Sequence, residues 1–215
     1  MRIALFGATG GTGRHLVTHG LRAGHTLVAL VRDPARLRTT DDRLQVVQGD
    51  VRDGAAVDRA VAGCDAVVVA LAPRSGDAAA DHTAFYATAT DNVVAAMTAH
   101  GVSRIAVVSA APVAPVDPAD TLPYRLVVRP LLRRVLRDHY RGLEVMEQRL
   151  HDSGLRYTLL RPPKLTTRPP SGRYRVAFDG TLRRGYLLAR ADLAAATIAL
   201  LDDPRAERAA VAIAN

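Results

Sequence analysis

Short apolar runs, separated by stretches that suit helices, repeat along the chain through residue 162. The runs are continuous rather than alternating, as in strands covered on both faces of a sheet. A longer stretch with few helix breakers, roughly 79–100, ends at Gly101 and predicts a long helix. The predicted strands are RIALF, HTLVALV, LQVVQ, DAVVVAL, RIAVVS and RYTLLRP. This alternation predicts an α/β fold with a doubly wound parallel sheet.

The pattern changes after the fifth predicted strand. A proline-rich loop follows it, a helix is predicted over 133–153, and the stretch from 164 reads as a loop. A short strand, RYRVAF, and a last helix over 189–203 complete the prediction. Neither a repeat nor a linker divides the chain. We therefore expect one Rossmann-like domain over 1–215, with a small C-terminal elaboration on the substrate side, mainly within 110–190.

Four glycines, in FGATGGTGR, follow the first predicted strand, and the last of them begins the helix predicted over 13–23. Gly7 permits a tight turn at the strand end, Gly10 lets the backbone approach a pyrophosphate, and Gly13 lets the helix pack against the strand. The helix N-terminus adds free N–H groups and partial positive charge. The sequence therefore predicts a dinucleotide site formed by Gly7, Thr9, Gly10, Gly11, Thr12, Gly13 and Arg14.

The end of the second predicted strand bears on which dinucleotide binds. A carboxylate there binds the ribose hydroxyls of NAD, whereas an arginine can pair with the 2′-phosphate of NADP. This chain has Arg32 at that point and Asp33 directly after it, with Arg14 and Arg36 near enough to add positive charge. We favour NADPH as the cofactor, while Asp33 keeps NAD open.

The residues after the third predicted strand form a second candidate contact. Asp50 and Val51 lie where a side chain can face the adenine, and Asp50 could accept a hydrogen bond from its exocyclic amine. Asp50 could equally cap the helix that begins near Asp53. The sequence does not decide between these two interpretations.

Charge raises the question of nucleic acid, because the chain carries a formal charge of +8 and a pI near 10.5. Its main basic cluster alternates with apolar residues over 125–141 and is partly helical. This segment can be a solvated face, a mouth that attracts an anionic substrate, or a nucleic-acid surface. Nucleic acid is the least favoured, since aromatic residues make up only 4% of the chain and tryptophan is absent.

The rest of the composition argues against several classes of protein. The single cysteine, Cys64, rules out an internal disulfide framework and fits a reducing cytoplasm, where we expect the protein. No apolar run approaches the roughly 20 residues that a membrane span needs, and we expect no membrane partner. No cysteine-rich metal-binding spacing and no GxSxG motif is present, so neither a metal site nor a serine hydrolase is expected.

Taken together, these motifs resemble the atypical short-chain dehydrogenase/reductase superfamily in its NmrA-like, NAD(P)H-binding branch. More narrowly, they are similar to the biliverdin-IXβ and flavin reductases. The resemblance covers nearly the whole chain apart from a segment around 122–137. It implies a Rossmann-like sheet, NADPH as cofactor, and hydride transfer to a flavin or linear tetrapyrrole. The motifs that carry it are FGATGGTGR, LVRDPARL, GDVRD, GCDAVVVALAPR, NVVAAMTAHGVSRIAVVSA and LHDSGLRYTLLRPP.

The resemblance also implies roles for individual residues. Arg32 matches the arginine that holds the 2′-phosphate, and Ser109 matches the active-site serine, which would donate to the nicotinamide or the substrate. Lys164, the only lysine of the chain, stands where the reductases have a histidine beside the substrate. The segment that lines the nicotinamide side matches Leu71, Ala72, Pro73 and Arg74.

One departure from the wider superfamily affects the expected chemistry. No YxxxK pair occurs in the sequence, and Tyr140 is followed four residues later by Glu144. The usual proton transfer by a tyrosine beside a lysine is therefore not supported. Tyr124 is a candidate for covering the substrate, and His139 and His82 are weaker candidates for acid catalysis.

The sequence thus favours a cytoplasmic NADPH-dependent reductase that passes a hydride to a flavin-like or other conjugated acceptor, a small anionic or aromatic molecule. Two alternatives remain open: a non-catalytic NADP(H) sensor of NmrA type, and a reductase or isomerase with a specialised biosynthetic substrate. The sequence leaves open whether the protein is a monomer or a homodimer. It also leaves open whether 122–137 form a lid or an interface.

Overall fold

The structure is a computed structural model, and it describes residues 1–73, 81–114, 122–182 and 185–215. Within these ranges the side chain of Tyr124 is not described. The predictions for Arg74 and for the Tyr124 side chain therefore lie outside the described residues.

An eight-stranded sheet forms the centre of the molecule, in the order β3-β2-β1-β4-β5-β6-β10-β8. Every pairing in it is parallel except that of β10 with β8. Two short strands, β7 and β9, pair in parallel beside it. The strands are β1 (Arg2–Phe6), β2 (Thr26–Val31), β3 (Leu44–Gln48), β4 (Ala66–Val69), β5 (Arg104–Val108), β6 (Arg156–Arg161), β7 (Lys164–Thr166), β8 (Arg175–Phe178), β9 (Leu187–Ala189) and β10 (Ala209–Ala214).

Helices cover both faces of the sheet, which explains the continuous apolar strands. On one face α2, α3 and α5 pack together, and on the other α1 packs against α6. Each face has its own buried apolar cluster, and the strands contribute alternate side chains to the two clusters. The described helices are α1 (Gly13–Arg22), α2 (Gly54–Val61), α3 (His82–Ala99), α4 (Arg129–Val135), α5 (Arg137–Asp152) and α6 (Arg190–Leu200). The predicted doubly wound α/β fold is confirmed.

The predicted helix over 133–153 is wrong in its bounds. A π-helical turn over Tyr124–Val128 leads into α4, and the helix is interrupted at Leu136 before α5 begins. The long helix predicted from about 79 begins at His82, because the Asp81 carboxylate accepts a hydrogen bond from the Ala84 N–H and caps it.

Three strands were not expected from the sequence. β7 and β9 have only three residues each, too short for a periodic signal. β10 is AAVAIA, in which alanine replaces the branched residues that mark strands, yet it pairs with β6 along one edge and β8 along the other. Across the described residues, no helix is long and apolar enough to cross a membrane.

Candidate functional site

The glycine turn after β1 has a backbone that only glycine can adopt without a clash. Gly7 has a φ of +94°, and a Cβ there would lie 2.3 Å from the Ala70 carbonyl oxygen. A Cβ on Gly13 would lie 1.9 Å from the Gly7 carbonyl oxygen. The Gly10 N–H closes the turn by donating to that same oxygen at 3.0 Å. The turn is therefore held tight, and it leaves open backbone in front of the first turn of α1.

A cleft of about 400 Å³ lies beyond the carboxyl ends of the parallel strands. It runs along the loops that follow β1, β2, β3 and β4, at the point where the sheet order reverses between β1 and β4. Dinucleotides bind at this point in open parallel sheets. The cleft-lining residues that the sequence predicted are Gly7, Thr9, Gly10, Gly11, Thr12, Arg32, Asp50, Val51, Leu71, Ala72 and Ser109.

The positive end of the cleft is formed by Arg32 and Arg36, both of which are exposed and line it. Asp33 is engaged elsewhere, since its carboxylate accepts from the Ala35 N–H at 3.1 Å and caps a short 3₁₀ turn. Arg14, which we expected in the site, is exposed on α1 and does not line the cleft. Two arginines rather than a carboxylate therefore face the region where a ribose 2′-substituent would lie.

Asp50 lines the cleft, but it does not cap the following helix, so that interpretation is wrong. The cap of α2 is Asp53, whose carboxylate accepts from the Ala55 N–H at 3.0 Å. Asp50 instead pairs with Arg52, with both oxygens 2.9 Å from guanidinium nitrogens. These hydrogen bonds lower the pKa of Asp50 to about 2 against the opposing effect of burial. The carboxylate is therefore ionised at neutral pH, and its contact with the adenine stays a prediction.

Ser109 lies at the opposite end of the cleft, directly after β5, and belongs to a buried polar network. Its hydroxyl donates to the Glu147 carboxylate at 2.5 Å. Arg161 binds the same carboxylate through two nitrogens, at 2.5 and 3.1 Å. The network commits the Ser109 proton to Glu147, so the oxygen offers only lone pairs to the cleft. This differs from the expected role of Ser109 as a donor to the nicotinamide or the substrate.

Helix α5 faces the same end of the cleft through His139 and Leu143, which are four residues apart on one side of the helix. A tyrosine and lysine pair on this helix would have to occupy these two positions in order to reach the cleft. Tyr140, the nearest tyrosine by sequence, instead lines a neighbouring cavity, and Glu144 pairs with Arg133. An imidazole and an apolar side chain thus stand where that pair would act.

Two further side chains surround His139. Its Nδ1 lies 3.5 Å from the hydroxyl of Tyr86, which also lines the cleft, and its ring meets that of His82 at a centroid distance of 6.1 Å. Burial lowers the pKa of His139, and the charge of His82 lowers it further. Burial raises the pKa of Tyr86. At neutral pH both side chains are therefore uncharged.

A second cavity, of about 680 Å³, adjoins the cleft and is mostly apolar. Three pairs of consecutive residues separate the two spaces, because Ser109, His139 and Leu165 line the cleft while Ala110, Tyr140 and Lys164 line the cavity. The predicted Lys164 is thus placed in the second cavity and not with Ser109. The other residues that line the cavity are Pro112, Pro123, Val128, Leu132, Leu136, Pro162, Pro163, Gly185, Tyr186 and Leu187.

Arg190 is a cleft residue that the sequence analysis missed. It is the first residue of α6, far along the chain from the glycine turn, and its Nε would lie 2.9 Å from a Cβ placed on Gly11. It therefore adds positive charge beside the turn that would hold a pyrophosphate. No spacing in the sequence connects it to that turn. Within the described residues, no group of histidine, cysteine and acidic side chains could hold a metal ion.

Comparison with known proteins agrees with this geometry. A family model described as NAD(P)H-binding matches residues 7–204. A (4-alkanoyl-5-oxo-2,5-dihydrofuran-3-yl)methyl phosphate reductase of Streptomyces griseus is 32% identical over 161 residues, which are 74% of this chain and 46% of the relative. A chloroplastic protein of Arabidopsis thaliana is 28% identical over 201 residues, 86% of this chain and 67% of the relative. The chain thus spans less than half the length of the Streptomyces enzyme.

Solved structures share the fold over the whole chain. A short-chain dehydrogenase/reductase of Veillonella parvula, in complex with NADP, has a TM-score of 0.83 at 18% identity and covers 100% of this chain and 94% of its own. An oxidoreductase of Lactococcus lactis has a TM-score of 0.81 at 17% identity, with 100% and 91% covered. At such identities the likeness establishes the fold. The narrower resemblance to the biliverdin-IXβ and flavin reductases stays a prediction.

Proposed function

The chain belongs to the NAD(P)H-binding family, an oxidoreductase-type Rossmann family, and on that premise we propose that it is an NADPH-dependent reductase of the atypical short-chain type. The observation that carries the proposal is the adjacency of two spaces. A cleft with a glycine turn at one side and Ser109 at one end adjoins an apolar cavity across three pairs of consecutive residues. A cofactor in the first space and an acceptor in the second would meet at that boundary.

The residues present fit a dinucleotide phosphate. The turn after β1 excludes any Cβ at Gly7 and Gly13, so it stays tight, and the backbone at Gly10 could then approach a pyrophosphate. Arg190 would bind the pyrophosphate, and Arg32 with Arg36 would bind a 2′-phosphate. When bound, NADPH supplies a hydride, so that NADPH, acceptor and a proton give NADP⁺ and the reduced acceptor.

The residues around the boundary orient the reactants rather than exchange protons. Ser109 would accept a hydrogen bond from the carboxamide of the nicotinamide, since its own proton is held by Glu147. His139 is uncharged at neutral pH and places no cation beside the ring that becomes positive on hydride loss. A flavin-like acceptor suits this site, because its ring can take a hydride directly and obtain its proton from water.

The test is anaerobic oxidation of NADPH with FMN, riboflavin or biliverdin as acceptor, followed by loss of nicotinamide absorbance. We expect turnover that falls in Ser109→Ala and, for anionic acceptors, in Lys164→Ala. The Thr166→Ala variant is the matched control, since this side chain lies on the same short strand and lines neither space. Tight NADPH binding without turnover of any acceptor would favour the alternative of an NmrA-type redox sensor.

A second candidate is reduction of a carbon–carbon double bond conjugated to a carbonyl, in a substrate with an apolar chain and a phosphate. The Streptomyces relative is named as a reductase of such a compound, a (4-alkanoyl-5-oxo-2,5-dihydrofuran-3-yl)methyl phosphate. The observation that favours this candidate here is the mostly apolar cavity with Lys164 in its wall, which could accept a chain and pair with a phosphate. Turnover of alkanoyl butenolide phosphates but not of flavins would select this candidate over the first.

A further inference from the structure

The segment 122–137 exposes large apolar side chains to solvent. Leu126, Val127, Leu131 and Val135 are 66%, 62%, 58% and 70% exposed. Val127, Leu131 and Val135 are four residues apart along the π-helical turn and α4, a spacing that puts them on one side, and Leu126 adjoins Val127. We call these exposed apolar side chains the 122–137 surface. A contiguous exposed apolar patch of this kind marks an interaction site on a soluble protein.

Hydrogen bonds to the body hold these side chains in their outward position. The guanidinium of Arg129 is buried and donates to the carbonyl oxygens of Pro112 and Ala114. Arg133 donates to the Pro112 oxygen at 3.1 Å and pairs with Glu144. Arg129 and Arg133 lie two positions from Leu131 and Val135, which places them on the opposite side of the helix. The apolar side is therefore turned away from the protein by a polar anchor.

Charge defines what can cover this surface. Residues 122–137 include five arginines and no aspartate or glutamate. Arg134 and Arg137 are exposed and lie next to Val135 along the chain, at the end of α4 and the start of α5. A helix that combines an apolar side with arginines suits the boundary of a bilayer that contains anionic lipids, where apolar groups enter the headgroup layer and cations meet phosphate.

A second copy of the chain suits the surface less well. In a two-fold dimer the same patch would face itself, so the arginines of one copy would approach those of the other without acidic partners from this segment. The apolar rim of the second cavity continues the surface, because Val128, Leu136, Tyr186 and Leu187 are exposed and line that cavity. An anionic bilayer satisfies the charge and the apolar area together.

We propose that the 122–137 surface docks the protein on the surface of anionic membranes. Leu126, Val127, Leu131 and Val135 enter the boundary between headgroups and acyl chains, and Arg134 and Arg137 contact lipid phosphates. Docking at this surface does not require a membrane-crossing helix, and it does not depend on which reaction the cleft supports. It differs from our sequence-based expectation that the protein has no membrane partner.

The test is sedimentation of the full chain with vesicles of phosphatidylglycerol mixed with phosphatidylcholine, compared with vesicles of phosphatidylcholine alone. We expect binding to the anionic vesicles that weakens as salt is raised. The double variant Leu131→Ser/Val135→Ser should bind about tenfold or more weakly, and Arg134→Ser/Arg137→Ser should also lose affinity. Val46→Ser is the matched control, since Val46 is a 40% exposed valine on the edge strand β3.

Several outcomes would overturn the proposal. They are failure of the full chain to sediment with anionic vesicles, equal binding to phosphatidylcholine alone, and loss of binding in Val46→Ser as large as in the double variant. A concentration-dependent dimer that Leu131→Ser dissociates would assign the surface to a second copy. Because the substituted side chains are exposed, the variants should keep the thermal midpoint and the NADPH affinity of the parent, which separates this test from that of the reductase.

Discussion

At the residue scale, the proposed preference for a phosphorylated dinucleotide rests on two arginines, Arg32 and Arg36, which line the cleft. We expect Arg32→Ala and Arg36→Ala each to weaken NADPH binding by about 10 to 100-fold, since a charge-assisted hydrogen bond contributes about 1.5–3 kcal/mol. NADH lacks the 2′-phosphate, so its dissociation constant should hardly change. Titration of nicotinamide fluorescence measures both constants.

Arg38→Ala is the control for this prediction, because Arg38 follows the same strand, is exposed and does not line the cleft. Equal loss of NADH and NADPH affinity in Arg32→Ala would show that the arginine supports the loop rather than the phosphate. The sequence pointed to Arg32 because the residue at the end of the second strand of such a fold faces the ribose of the dinucleotide. It could not separate Arg14 from Arg36, since the direction of each side chain depends on how α1 and the 3₁₀ turn are placed.

His139 gives the reaction its expected pH dependence. Burial and His82 lower its pKa, so protonation sets in only below the usual value near 6.5. The charge would then lie beside a nicotinamide that becomes positive on hydride loss. We expect kcat to be level from about pH 7 upward and to fall as pH drops through the lowered pKa. The His139→Gln variant should remove the fall.

The measurement is a kcat profile at saturating NADPH with an acceptor that does not itself titrate in this range. A kcat that rises as pH falls, and loses that rise in His139→Gln, would instead identify the imidazolium as the proton donor. His100→Gln controls for general effects of histidine loss, because His100 pairs with Asp58 on the surface, away from the cleft. The sequence favours His139 only weakly, because the YxxxK pattern of the superfamily draws the comparison to Tyr140 beside it.

At the scale of elements, the turn between β1 and α1 is the part of the site whose geometry depends most on backbone conformation. A Cβ on Gly13 would lie 1.9 Å from the Gly7 oxygen, so Gly13→Ala must shift the turn or the helix. We expect a loss of stability of about 1–3 kcal/mol and a weakening of NADPH and NADH binding alike. Chemical denaturation and cofactor titration measure the two effects.

Gly180→Ala is the matched control, since a Cβ there would meet only the Phe178 oxygen, at the ordinary distance of 3.7 Å. Unchanged cofactor affinity in a folded Gly13→Ala protein would contradict the role of this turn. The turn could be predicted from sequence because the strand, the glycine spacing and the helix follow one another within the first 22 residues. The β7, β9 and β10 strands could not, because each is stabilised by partners distant in the chain rather than by its own residues.

At the scale of the molecule, the two adjoining spaces come from different parts of the chain. The cleft is formed mainly by the first half, where local motifs predicted eleven of its lining residues. The cavity is assembled from the loop after β5, from α4 and from residues near β7 and β9, and its shape depends on contacts between these segments. The network of Ser109, Glu147 and Arg161 likewise joins three elements. Pairing of this kind is fixed by tertiary packing and leaves no periodic trace in the sequence.

Because the cleft and the cavity are separate spaces, we expect cofactor binding and acceptor binding to be affected by different substitutions. Ala110 lines the cavity and not the cleft, so Ala110→Phe should fill part of the proposed acceptor site and leave the proposed cofactor site unchanged. We expect a large rise in the KM for the acceptor, about tenfold or more, with an unchanged dissociation constant for NADPH. Arg32→Ala should do the reverse, because it weakens NADPH binding and leaves the acceptor's KM unaltered at saturating NADPH.

The two variants together therefore test whether cofactor and acceptor bind in separate spaces. A thermal midpoint near that of the parent excludes misfolding. If Ala110→Phe instead weakened NADPH as much as it weakened the acceptor, cleft and cavity would be one continuous site, and the acceptor would have to bind over the cofactor rather than beside it.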